Sequence, residues 1–160
     1  MSQSAGQVQE GRPAPDFSLP SGDGRTLSLA DLRGKRVVLY FYPKDDTRGC
    51  TREACAFRDL RAEFAQKDAE IVGVSLDGPE SHRQFSEKYA LPFPLLADEQ
   101  AEVSKKYGVY VLKNRDGRDF WGIDRTTFLI DRQGTVRKIF PQVTVDGHAD
   151  ELLAALDEVD

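Results

Sequence analysis

The 160-residue sequence is poor in the residues that staple or metallate a fold: it has two cysteines, two histidines, one methionine and one tryptophan. Two cysteines cannot frame a chain of this length, which excludes a disulfide-stapled secreted scaffold. Two cysteines without neighbouring histidines also fall short of the four ligands of a structural zinc site, so no metal and no cofactor is expected. No apolar run approaches the roughly 20 residues of a membrane span. The first ten residues, MSQSAGQVQE, lack a basic stretch followed by an apolar one, so no secretory leader is read there and a cytoplasmic location is expected. An excess of basic residues is missing too. Lys and Arg total 22 against 27 Asp and Glu, a net charge of −5, which argues against nucleic-acid or anionic-membrane partners.

What is present is ordinary for a folded domain: 39% apolar and 31% charged residues. The length predicts a single domain over 1–160, with a polar tail over about 1–11. One stretch stands out, Val37 to Phe57, VVLYFYPKDDTRGCTREACAF. Val37 to Tyr42 is an apolar run rich in β-branched and aromatic residues, a buried strand. Pro43 to Gly49 carries turn residues. From Cys50 the apolar residues Cys50, Ala54, Phe57, Leu60 and Phe64 fall at helical spacing, which predicts a helix to about Gln66.

Cys50 therefore sits in the first turn of a helix, where unpaired N–H groups and the positive end of the dipole favour a thiolate. Arg48 and Arg52 flank it, and Thr47 places a hydroxyl in the same loop. This pattern predicts an activated cysteine. Cys55 follows at C-x4-C spacing. In a helix that is a rise of about 7.5 Å and a turn of about 140° away from the face of Cys50. A disulfide needs Cα atoms within about 7 Å, so a bond between the two requires the first turns of the helix to unwind. Read alone, Cys55 also fits a small core residue beside Ala54 and Ala56.

The rest of the chain reads as follows. Asp16 to Leu19 and Thr26 to Ser28 flank the turn SGDGR, an N-terminal β-hairpin, and Ser28 caps a short helix over Leu29 to Leu32. Glu70 to Leu76 is a second buried strand, parallel to the first across the helix. Helices follow over Glu80 to Tyr89 and about Glu99 to Tyr107, the latter capped by Asp98, with a short strand or loop at Leu91 to Leu96 between them. Asn114 to Gly117 is a turn joining two short strands. Thr126 to Ile130 and Thr135 to Phe140 flank DRQG, a hairpin, and Ala149 to Val159 is a closing helix. The fold class is α/β, thioredoxin-like, with a mixed central sheet flanked by helices. His82 and His148 are expected at the surface, Trp121 in the core or a pocket wall, and the helix carboxylates on solvated faces.

The segment P-K-D-D-T-x-G-C-T-x-E-A-C-x-F resembles the active-site segment of the peroxiredoxins, in the PrxQ or bacterioferritin comigratory protein branch. The resemblance runs from about Arg12 to near the end of the chain. It implies that Cys50 is the peroxidatic cysteine, that Cys55 resolves it, that Thr47 hydrogen-bonds the peroxide and that Pro43 shields the thiolate from water. The segment R-T-T-F-L-I-D is similar to the family's arginine segment and implies that Arg125 completes the site. Arg48 stands where the family usually has proline. The implied activity is reduction of hydrogen peroxide and organic hydroperoxides, with recycling by thioredoxin or a glutaredoxin-type dithiol, in a monomer. Two other readings use the same cysteines: a disulfide reductase, disfavoured because its usual motif is C-x-x-C, and a non-enzymatic redox sensor.

Overall fold

In the computed structural model, residues 8–159 are described. The centre is a five-stranded mixed sheet in the order β5 (Leu95–Ala97), β4 (Ala69–Ser75), β3 (Arg36–Phe41), β8 (Thr126–Ile130) and β9 (Val136–Phe140). Strand β3 pairs in parallel with β4, and β4 with β5. On its other side β3 pairs antiparallel with β8, which pairs with β9. As the central strand, β3 is buried on both faces, which is why its sequence is a continuous apolar run rather than an alternating one. Val38, Tyr40 and Tyr42 point into one core, and Val37, Leu39 and Phe41 into the other.

The first core is covered by α1 (Arg48–Asp59), α2 (Arg61–Gln66), α3 (Pro79–Tyr89) and α5 (His148–Leu156). The second lies under α4 (Glu102–Lys106) and the N-terminal segment. Two ribbons stand apart from the sheet: β1 (Ser18–Pro20) with β2 (Thr26–Ser28), and β6 (Tyr110–Arg115) with β7 (Arg118–Ile123). The expected N-terminal hairpin, both later hairpins and the parallel pair are all present. This is the thioredoxin-type arrangement anticipated from the order of elements.

Several local expectations are corrected. The active helix does not run unbroken to Gln66. It bends at Leu60 (φ −106°, ψ 12°), where no Gly or Pro marks a break. The bend brings Phe57 and Phe64 together in one core, ring centroids 5.9 Å apart, so tertiary packing decides it. The helix expected from Glu99 starts only at Glu102. Asp98 does cap it, accepting from the N–H groups of Val103 (3.2 Å) and Ser104 (2.7 Å), but a turn through Ala101 in the left-handed region comes between. Leu29–Leu32 is a single 3-10 turn. Residues 1–7 of the expected tail lie outside the described residues, whereas residues 8–11 are held in place: Val8 is buried and the Gly11 N–H donates to the Val136 carbonyl at 2.7 Å.

Candidate active site

The site is built where β3 hands over to α1. Asp46 adopts a left-handed conformation (φ 58°) that reverses the loop, and Thr47 takes the extended geometry of a helix N-cap. The Thr47 hydroxyl donates to the Lys44 carbonyl at 2.9 Å, and the Thr51 N–H returns to the Thr47 carbonyl at 2.8 Å. Helix α1 then opens with Arg48, Gly49 and Cys50, whose N–H groups have no partner one turn earlier in the helix. Cys50 is buried on the sheet side of α1 with Ala54 and Phe57, as its spacing predicts.

Arg125 reaches the same point from a distant part of the sequence. It immediately precedes β8, next to β3 in the sheet, and its main chain is fixed by the Val143 N–H donating to its carbonyl at 2.9 Å. Its guanidinium forks. Nη2 lies 3.4 Å from Cys50 Sγ, and Nη1 donates to Glu53 Oε1 at 2.6 Å. Burial works against the Arg125 charge, but Glu53 and Cys50 outweigh it and the group is held more firmly protonated than usual. Gly49 makes room for the fork, since a Cβ there would sit 3.2 Å from Arg125 Nη2.

Glu53 also belongs to this cluster, a contact not expected from the sequence. The expectation placed helix carboxylates on solvated faces, but Glu53 is three residues after Cys50 and turns to the same inner side, where it is 2% exposed. Burial pushes its carboxyl up to about 7, despite the opposing pull of Arg125. Its second oxygen has no partner among the described residues, and neither has the hydroxyl of Tyr40, which lies beneath the site on β3. Burial, and then the charges of Glu53 and Cys50, hold the Tyr40 phenol far from ionisation. The spacing of Cys50 and Glu53 was the available signal.

The histidines are also corrected: both are buried. His82 Nε2 faces the Leu96 carbonyl at 2.9 Å and therefore carries a hydrogen, while Nδ1 lies 2.7 Å from Asp45 Oδ2. His148, at the start of α5, bonds Thr127 Oγ1 and Glu151 Oε1, each at 2.9 Å, and stacks edge-on against Phe57. Burial lowers its pKa. Asp45, Asp77 and His82 bring ligand atoms within 4.8 Å of one another, the one such cluster among the described residues, but those atoms are already committed to hydrogen bonds. Trp121 is not a core residue. It is 56% exposed on the β6–β7 ribbon, stacked on Tyr110.

Of the five residues singled out from sequence, Cys50 and Arg125 are in contact, and Thr47 and Pro43 lie in the loop that leads to Cys50. Cys55 is half-buried, both thiols are free, and α1 runs unbroken through both positions. The helix thus holds the sulfurs on different faces.

Residues 11–139, which contain the Cys50 thiol, the helix start and the Arg125 fork, match the AhpC/TSA family. The chain belongs to that family. Among curated relatives, a peroxiredoxin Bcp of Coxiella burnetii, named there as putative, is 49% identical, over 93% of this chain and 99% of its own length. The peroxiredoxin Bcp of Bacillus subtilis is 45% identical, over 95% and 97%. Among solved structures, the Xanthomonas campestris bacterioferritin comigratory protein superposes with a TM-score of 0.87 at 38% identity, over 94% of this chain and 98% of that one. That structure was described for its alkyl peroxide reduction activity. The AhpC/TSA chain described here is accordingly a peroxiredoxin with the thioredoxin-type fold of its relatives. No helix among its described residues is long and apolar enough to cross a membrane.

Proposed function

We propose that this chain reduces hydrogen peroxide and organic hydroperoxides through Cys50 and is recycled through Cys55. The observation that carries the reading is the Arg125 guanidinium 3.4 Å from a buried Cys50 sulfur in the first turn of α1. A thiolate there attacks one peroxide oxygen in line, and the O–O bond breaks. The other oxygen takes the electron pair and a proton and leaves as water or an alcohol, with Cys50 left as a sulfenic acid. Arg125 and the first-turn N–H groups face the charge that develops along this path, and being fixed beforehand they need no reorganisation. Thr47 holds the incoming peroxide and Pro43 limits water at the thiolate. Glu53 holds the Arg125 fork in register.

Resolution follows by attack of the Cys55 thiol on the Cys50 sulfenic acid, forming a disulfide and releasing water. Helix geometry requires the first turns of α1 to unwind before this bond can close. A dithiol such as thioredoxin, or a glutaredoxin-type protein, then reduces the disulfide and is itself oxidised. This is an atypical 2-Cys cycle within one chain, working as a single-domain monomer in the cytoplasm. The alkyl peroxide reduction described for the Xanthomonas campestris relative supports the organic substrate class.

One equivalent of hydrogen peroxide added to the reduced protein, followed by intact mass, tests the reading. A loss of about 2 Da with Cys50 joined to Cys55 is the expected result. A gain of about 16 or 32 Da removes Cys55 as the resolving residue. A doubled mass makes a second chain the resolving partner. An unchanged mass overturns the peroxidase reading and leaves a sensor or a structural role for the cysteines.

A further inference from the structure

The loop that carries Thr47 is fastened to α3 by two adjacent carboxylates. Asp45 is the inner one. Its Oδ1 accepts from the Tyr42 hydroxyl at 2.6 Å, its Oδ2 from the Ser81 hydroxyl at 2.8 Å, and the same Oδ2 faces His82 Nδ1 at 2.7 Å. Its own N–H donates to Asp77 Oδ2 at 2.8 Å. Asp45 is 8% exposed and His82 fully buried. Asp46 is the outer one, accepting from Lys88 Nζ at 2.8 Å and the Tyr89 hydroxyl at 2.9 Å in the last turn of α3. The Asp46 contacts are solvent-exposed and contribute little. Breaking the Asp45 cluster would leave a buried carboxylate without its donors and take the carboxylate away from His82 Nδ1, which is costly.

Beyond Thr47 the hold changes: the first turns of α1 are tied through Cys50 and Glu53 to Arg125 rather than to α3. Arg48 is exposed, Gly49 has no side chain, and Arg52 pairs with the largely exposed Asp146. We propose that Asp45 and His82 are positioning residues: their buried contact holds the Thr47 loop on α3, so that the unwinding needed for a Cys50–Cys55 disulfide begins beyond Thr47 and leaves the loop in place. This rests on the peroxidase reading above. It divides the cycle physically. The peroxide step uses Thr47 and the loop at its fixed position, whereas disulfide closure releases the first turns of α1 from Arg125. The fastened loop serves the first step and is a bystander to the second.

The isosteric Asp45→Asn variant tests this. Its first step is read as sulfenic acid formation in a Cys55→Ser background, and its second as disulfide formation with both cysteines present. The first step is expected to slow about tenfold, short of the roughly hundredfold that a 1 Å misplacement can cost, while closure keeps its rate. Ser81→Ala, which removes one of the Asp45 bonds, should show the same split more weakly and serves if Asp45→Asn folds poorly. Asp131→Asn, in the distant β8–β9 turn, is the control for lost stability. An unchanged first step in Asp45→Asn overturns the proposal. So does a closure rate raised as much as the first step falls, because the loop then peels away during unwinding. The same split in Asp131→Asn at equal loss of melting temperature also overturns it. A wild-type protein inert to peroxide would remove the underlying reading instead. Amide exchange of the reduced proteins then decides the matter: protection of the residue-45 amide, which donates to Asp77 in the fastened loop, lost in Asp45→Asn supports the fastening, and protection kept overturns it.

Discussion

The guanidinium of Arg125 is shared between two residues one helical turn apart, lying 3.4 Å from Cys50 Sγ through one nitrogen and 2.6 Å from Glu53 Oε1 through another. The fork ties the start of α1 to the start of β8 and fixes where positive charge stands beside the sulfur. Because Glu53 is buried as well as paired, two opposing effects meet on one carboxyl, and burial is the larger.

That balance sets a pH dependence. The carboxyl of Glu53 titrates near 4.5 when unfolded and is raised to about 7 in the fold. Folding therefore favours the protonated form. The stability linked to Glu53 is fully present below pH 4.5 and is lost as pH rises through about 7. The upper size of the loss is on the order of 3 kcal/mol. Glu53→Gln should flatten the fall in melting temperature between these pH values. Thermal melts of both proteins across the window check it, and parallel curves would refute the assignment.

Gly49→Ala should separate stability from activity. Alanine favours the helix by up to about 1 kcal/mol over glycine. Its Cβ would stand 3.2 Å from Arg125 Nη2 and displace the fork by a few tenths of an ångström. A melting temperature equal to or above wild type, with peroxide reduction slowed about tenfold, is the expected pair of results. Stopped-flow rates and a thermal melt read both.

The two cysteines should differ in kind. Cys50→Ser is expected to abolish turnover. Cys55→Ser should keep the first oxidation and stop recycling by a dithiol, unless an external thiol completes the cycle. Single-turnover oxidation followed by mass separates the two, and equal loss of the first step in both variants would refute their roles.

Gly73 on β4 gives a purely structural prediction. A Cβ there would come within 2.8 Å of Leu95 Cδ2 and 2.9 Å of Tyr40 Cζ. Both neighbours are fully buried, so neither can swing aside. Gly73→Ala should destabilise the protein by about 1–3 kcal/mol, read by denaturant unfolding. Because Tyr40 lies beneath the site, the peroxide rate should fall with it.

Much of this was legible along the chain. The β3 run is apolar because the strand is central, and a central strand has no solvated face to encode. Cys50 shares the spacing of Ala54 and Phe57, so its burial followed from helical period alone. Glu53, His82 and His148 were misread for one reason: a polar side chain in a sequence carries no mark of a partner that lies far away in the chain. Their partners are Arg125, Asp45 and Thr127, at separations of 72, 37 and 21 residues. Trp121 was misread in the opposite direction, because the β6–β7 ribbon stands off the sheet and leaves one face uncovered.

By itself, then, the sequence determined what local chemistry can fix: the strand, the turn, the helix start and the cysteine placed in it, since backbone period and terminal N–H groups act over a few residues. Only the tertiary structure decided which charges meet. Sheet pairing of β3 with β8 carries Arg125 to Cys50, and packing of α3 under the loop carries His82 to Asp45. Burial then sets the strength of those contacts, because a charge removed from water must be met by a fixed partner, and only the folded chain supplies one.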